Sequence, residues 1–236
     1  MAGTLYLLPT QLGATAPWPT VLPAATRAIA CGLDYFIAEN AKTARASLKW
    51  LEHPTPLREI AIEQLPEPLA AADLDRLLAP LHAGRNAGLM SEAGCPGVAD
   101  PGALLVRRAH ATEIPVRPLV GPSSLLLALM ASGLDGQQFA FHGYLPQREP
   151  ERSRRIAELE KESRLKRQTQ LFIETPYRNT ALFDALLAAC QPQTLLCVAS
   201  ELSLPEESVA TRPIAGWRKA GKPALERRPT VFLLLA

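Results

Sequence analysis

The chain has 236 residues and sets 25 lysines and arginines against 23 aspartates and glutamates, a net charge of +2. With 47% hydrophobic and 20% charged residues it can fill one large core or two α/β domains, and it is too apolar for long disorder. The near-neutral balance removes a global electrostatic attraction to nucleic acid or membrane and leaves only local ones.

Taken in chain order, short apolar runs alternate with helical patterns. Residues 5–8 (Leu-Tyr-Leu-Leu) read as a buried strand, followed by a Pro/Thr/Gly loop and a helix near 20–31. A strand is predicted at 35–38 and a helix at 42–51. Residues 53–68 are proline-rich and expected to be irregular, with a helix at 69–82 beyond them. A strand at 88–90 feeds a loop over 91–101 and a helix over 102–111. A strand follows at 116–120, and Pro122 is expected to open a helix reaching Ser132. In the second half, strands are expected at 139–141, 171–173, 195–198, 208–213 (an edge strand) and 231–235. Helices are expected at 150–166 and 179–190, the latter capped by Asn179. The alternation predicts an α/β fold of two domains, 1–120 with a mainly parallel sheet and 121–236 with a mixed one.

Several chemistries lose their support. The chain contains no GxGxxG after the first strand, no GxxxxGK[ST] and no GxSxG. Its four cysteines form no CxxC and its four histidines no HxxxH, so no metal site is expected and reduced, cytoplasmic cysteines are. The uncharged stretches 1–26 and 118–134 are interrupted by proline or glycine, so neither reads as a signal peptide or a membrane span.

What remains is a set of loops of small and polar residues at strand ends, where open α/β sheets bind ligands. The segment 91–102 (SEAGCPGVADPG) is long for a connector. Its glycines let backbone N–H groups approach a ligand, and Glu92 and Asp100 could accept from a hydroxyl or amino group. Asp100 reads equally well as a cap for the next helix. Gly121-Pro122-Ser123-Ser124 sets hydroxyls at a helix start. Loops at 9–13, 173–179 and 200–207 complete the set.

In this order the loops resemble the tetrapyrrole methylase superfamily, S-adenosylmethionine (SAM)-dependent transferases with two α/β domains. The likeness is greatest to the branch of 16S ribosomal RNA (cytidine-2′-O)-methyltransferases. It rests on S-[DE]-A-G-x-P and D-P-G in 91–102, G-P-[CS]-[AS] at 121–124, Gly143-Tyr144-Leu145-Pro146 and Glu201-Leu202. The resemblance implies a homodimer with SAM bound between the domains. It also implies SAM contacts at Leu12, Ser91, Glu92, Ala93, Gly94, Cys95, Pro122, Ser123, Ser124, Thr175, Leu202 and Pro229. Departures fall on the acceptor side. Gln11 and Ala14 replace Pro and Asn in the first loop, Glu39-Asn40-Ala41-Lys42 replaces an acid-Asp-Thr-Arg run, and Ile173-Glu174-Thr175 replaces Tyr-Glu-Ser.

The function this implies is methyl transfer from SAM to RNA, on a ribose 2′-hydroxyl. The alternatives are transfer to a tetrapyrrole or other small molecule, or a SAM-binding module without turnover. Glu39, Lys42 and Glu174 are the candidate catalytic residues, with Glu201 as a further base and Arg45 as a further substrate contact. The segments 148–167, with eight basic and five acidic residues, and 212–228, with six basic and one acidic, could meet phosphates. Sparse aromatic interleaving argues against a platform on which single-stranded bases stack.

Overall fold

A computed structural model of the chain describes residues 1–13 and 15–236; Ala14 lies outside the described residues. Two compact units are present, Met1–Ser123 and Ser124–Ala236.

The first unit contains strands β1 (Leu5–Leu8), β2 (Tyr35–Ala38), β3 (Ala61–Gln64), β4 (Ala87–Met90) and β5 (Val116–Pro118) in the order β3-β2-β4-β1-β5, every pairing parallel. Helices α1 (Trp18–Val21), α2 (Ala24–Cys31), α3 (Ala41–Trp50), α4 (Ala71–His82) and α5 (Ala103–Ala111) join them. Alternation along the strands divides the core. Leu5, Tyr35, Ile37 and Leu89 pack with Leu77, Leu81 and Leu105 of α4 and α5, while Leu8, Phe36, Ala38 and Met90 pack with Ala30, Ala44 and Leu48 of α2 and α3. A sheet covered on both faces needs strands apolar throughout, which is why β1, β2 and β4 are apolar runs. Since all five strands are parallel, their carboxyl ends, and the loops that leave them, share one edge.

The second unit holds α6 (Ser124–Ser132), β6 (Phe139–Tyr144), α7 (Glu151–Lys166), β7 (Thr169–Ile173), α8 (Asn179–Ala189), β8 (Leu195–Ser200), β9 (Ser208–Pro213), α9 (Ile214–Ala220) and β10 (Thr230–Leu235). Its sheet runs β6-β7-β10-β8-β9, parallel between β6 and β7 and antiparallel elsewhere. The carboxyl ends of β6, β7 and β8 therefore meet the amino end of β10 at one edge. One core cluster joins Phe172 and Phe232, stacked at 6.1 Å, to Phe183 and Trp217, edge-on at 5.5 Å.

Four expectations need correction. The proline-rich stretch 53–68 contains β3, an edge strand held by its parallel register with β2, Tyr35 to Ala61 through Ala38 to Gln64. The helix near 20–31 is two helices, because Pro23 interrupts the first and stands as N-cap of the second. α6 starts at Ser124, two residues after Pro122. Arg178, not Asn179, is the N-cap of α8, and Asn179 uses its side chain on a distant carbonyl. In addition, α9 forms within the basic stretch 212–228, where the tally of charges concealed the apolar Ile214 and Trp217 that bury it.

Candidate functional site

In the first unit, three loops are stitched together at the carboxyl edge of the sheet. The loop after β1 exchanges backbone hydrogen bonds with the loop after β4: the Thr10 N–H donates to the Gly94 carbonyl at 2.9 Å and the Gly94 N–H to that of Thr10 at 3.3 Å. The buried Thr10 hydroxyl donates to the Ser91 carbonyl at 3.4 Å, and the Ser91 hydroxyl to the Gly94 carbonyl at 3.3 Å. The Cys95 thiol reaches the Pro122 carbonyl at 3.4 Å, tying in the bend after β5.

Glycine is required at two points. Gly94 has φ 77°, and a Cβ there would lie 3.3 Å from the Leu12 side chain. A Cβ on Gly121 would lie 2.4 Å from Pro9 Cβ. Leu12, Ser91, Gly94, Cys95 and Pro122 are thus neighbours, with Glu92 and Ala93 exposed at the loop tip and Ser123 half-buried. Ser91 is buried and spends its hydroxyl inside the loop, so it shapes the site. Burial raises the Cys95 thiol, with the Asp100 charge adding to it, so the sulfur stays protonated and serves as packing.

Beside this junction lies a cavity of about 660 Å³, lined by Glu39, by Gln64 at the end of β3 and Leu65–Glu67 and Leu69 after it, and by Asp100–Leu104. Asp100 does not cap α5, whose N-cap is Gly102. Instead burial, then the charges of Glu39 and Glu92, push the Asp100 carboxyl up to about 6, against a smaller opposing pull from the Ser91 hydroxyl. Burial also raises Glu39, followed by the Glu92 charge, an opposing backbone hydrogen bond from Glu92 and the Glu67 charge. Lys42 is exposed on the first turn of α3, where its backbone N–H donates to the N-cap side chain of Asn40 at 2.9 Å. The lining from Gln64 to Leu69 escaped sequence reading because β3 did. Asp100 was visible only as one acid of a long loop.

In the second unit, the turns after β7 and β8 meet the segment entering β10. Glu174, whose side chain is 3% exposed, takes three donors on Oε1: the Thr175 N–H at 2.6 Å and the Arg178 guanidinium at 3.0 and 2.7 Å. It is engaged in holding its loop. The Glu201 N–H donates to the Pro229 carbonyl at 3.0 Å, beside the buried Leu202. Asn179 Nδ2 donates to the Arg228 carbonyl at 2.7 Å. Thr175, Leu202 and Pro229 therefore stand at one edge of this sheet. Glu201, Ser203 and Arg227 all adopt positive φ there (54°, 68° and 57°), a conformation that costs a non-glycine residue and marks a tightly determined loop.

Buried polar atoms almost always find partners. Among the described residues, the buried side-chain atoms without one are Gln11 Oε1 and Glu39 Oε2 in the first unit and Asn179 Oδ1 and Ser203 Oγ in the second. Gln11, Glu39 and Ser203 lie in loops just beyond the carboxyl ends of strands, and Asn179 opens α8 after the loop that leaves β7. Acceptors left open at these edges suit hydroxyl or amino donors on a ligand. Among the described residues no three His, Cys, Asp or Glu side chains are placed to hold a metal ion, and no helix is long and apolar enough to cross a membrane.

Comparison with known proteins agrees with this architecture. The family of Tetrapyrrole (Corrin/Porphyrin) Methylases matches residues 25–216. A protein of Xylella fastidiosa named ribosomal RNA small subunit methyltransferase I is 36% identical over 60% of this chain and 50% of its own length, so the chain spans about half of that relative. Its namesake in Pseudomonas aeruginosa is 30% identical over 91% of this chain and 71% of its own length. Among solved structures, the methyltransferase CobJ superposes with a TM-score of 0.64 at 17% identity, covering 99% of this chain and 94% of its own. The uroporphyrin-III C-methyltransferase of Thermus thermophilus in complex with S-adenosylhomocysteine gives 0.56 at 16%, covering 99% and 97%. These two likenesses establish the fold. With the family matched over most of its length and two sheets of the family's architecture, the chain belongs to the tetrapyrrole (corrin/porphyrin) methylase family.

Proposed function

We propose that the chain transfers a methyl group from SAM to a ribose 2′-hydroxyl of small-subunit ribosomal RNA. Enzymes of this family use SAM, and one structural neighbour was solved with the demethylated product. What carries the reading is the hydrogen-bonded meeting of Thr10, Ser91 and Gly94 beside an acid-lined cavity. It occurs in a chain whose relative over 91% of its length bears the name of a ribosomal RNA methyltransferase.

In the first unit the residues proposed to contact SAM are Leu12, Ser91, Glu92, Ala93, Gly94, Cys95, Pro122 and Ser123. In the second they are Ser124, Thr175, Leu202 and Pro229. The small residues around Gly94 suit a ligand held by backbone groups, and the exposed Glu92 suits ribose hydroxyls or an ammonium group. SAM, when bound, supplies a methyl group on a cationic sulfur. The protein's own task is to hold the acceptor hydroxyl in line and take its proton. Of the candidate bases, Glu39 fits best. It lines the cavity, one of its oxygens is buried without a partner, and burial strengthens it as a base. Glu174 is occupied by Arg178, and Lys42 stands exposed on its helix.

A homodimer is included in this proposal, and sedimentation tests it. For the activity, purified protein is incubated with methyl-labelled SAM and either total RNA or a small-molecule extract. Label in a ribose of small-subunit RNA is the expected result. Label confined to the extract would establish a small-molecule acceptor, and binding of SAM without transfer would establish a non-catalytic module.

A further inference from the structure

Two tyrosines from separate segments stand at the carboxyl edge of the second sheet. Tyr144, 58% exposed, ends β6 in register with Ile173 at the end of β7. Four residues beyond Ile173 stands Tyr177, 82% exposed. Next to Tyr177 in the chain stands Arg178, paired with Glu174 at 2.7 Å and near Tyr144. From the opposite side the segment before β10 is fastened to the same loop: the Arg227 N–H donates to the Pro176 carbonyl at 3.3 Å, and Asn179 holds the Arg228 carbonyl.

The result is an edge carrying two exposed aromatic rings and the arginines Arg178, Arg227 and Arg228, with the acids Glu174, Glu201 and Glu226 beside them. The backbone beneath Tyr177 is fixed. Glu174 clamps the loop through three donors, and the Arg178 N–H closes the turn on the Thr175 carbonyl at 2.8 Å. A fixed backbone leaves only the two side-chain torsions of the ring to be ordered when it takes a partner. Flat π faces beside Arg227 and Arg228, which make no ion pair among the described residues, match the chemistry of unpaired nucleotides, whose bases stack and whose phosphates attract positive charge.

We propose that Tyr144 and Tyr177, flanked by Arg227, form a stacking surface for unpaired bases of the RNA substrate. This rests on the RNA reading above and names the part of the second unit that would engage that RNA. Spacing along the chain hides the surface, because its residues come from three segments 33 to 83 positions apart.

The test is a fluorescence-anisotropy titration of the full chain with a labelled 12-nucleotide unstructured RNA of mixed sequence, at several KCl concentrations. Tyr177→Ala and Tyr144→Ala should each weaken binding about ten-fold, while Tyr177→Phe, which keeps the ring, should stay within about two-fold. Arg227→Gln should lower the slope of log affinity against log salt by about 0.7. Calorimetric affinity for SAM should not change in any of these variants. Wild-type affinity for the RNA in Tyr177→Ala, or a Tyr177→Ala variant that changes only the monomer–dimer balance, would overturn the stacking surface while leaving RNA methylation standing. If the wild-type chain neither binds nor methylates RNA but methylates a small molecule, the RNA reading falls and takes this surface with it.

Discussion

Replacing Asp100 with asparagine should make the protein more stable at neutral pH and leave it unchanged in acid. Burial beside Glu39 and Glu92 lifts this carboxyl from an ordinary 3.8 to about 6. An acid with a raised value in the folded state holds its proton more tightly there than in the unfolded chain, so ionisation opposes folding. The penalty is absent below about pH 4, grows between about 4 and 6, and is complete above. At about 1.4 kcal/mol per unit the ceiling is about 3 kcal/mol, and partial solvent access brings the expectation down to about 1 kcal/mol. Asparagine keeps the shape and carries no charge. Urea unfolding of the two proteins from pH 4 to pH 8 should therefore show curves that coincide at pH 4 and separate by about 1 kcal/mol at pH 8, in favour of Asp100→Asn. Because Glu39 contributes to the shift, the same comparison in a Glu39→Gln background should show a smaller gap. A gap independent of pH, or a less stable Asp100→Asn protein at pH 8, would refute the account of the cavity as a cluster of acids held at a cost.

Glu39→Gln should lower kcat for methyl transfer by a factor on the order of 10² to 10⁴ while SAM affinity by calorimetry stays within about two-fold, as expected for a lost base. In the wild type, the rate should fall in acid as the raised carboxylates of the cavity take up protons, which a pH–rate profile reads directly. Gly121→Ala puts a methyl 2.4 Å from Pro9 Cβ and 2.8 Å from Leu22 Cδ2, so thermal unfolding should show a loss of about 1–3 kcal/mol. Gly136→Ala, which meets nothing within 4 Å, should change stability by less than about 0.5 kcal/mol. Asn179→Ala removes the 2.7 Å donor to the Arg228 carbonyl inside a buried corner and should cost about 1–2 kcal/mol in urea unfolding.

The apolar runs of β1, β2 and β4 were legible because each is covered on both faces, which writes burial into consecutive residues. Helices α3, α4, α5 and α7 were legible from periodicity, and the ordered small-residue loops at 91–102 and 121–124 carried the family. Less visible were β3, half-exposed at an edge amid prolines, and α9, whose two buried residues sit in a basic stretch. Asp100 read equally well as a helix cap and as a hydrogen-bond acceptor for a ligand, since a carboxylate just before a helix can serve either use. Only the fold could decide that Thr10 meets Ser91 and Gly94 more than eighty positions away, that Glu39 and Asp100 share a cavity, and that Tyr144 ends its strand beside the end of β7. Local order records what each residue prefers and which face it buries. The partners it finds across a sheet depend on strand order and register, and those are settled by the packing of the whole core.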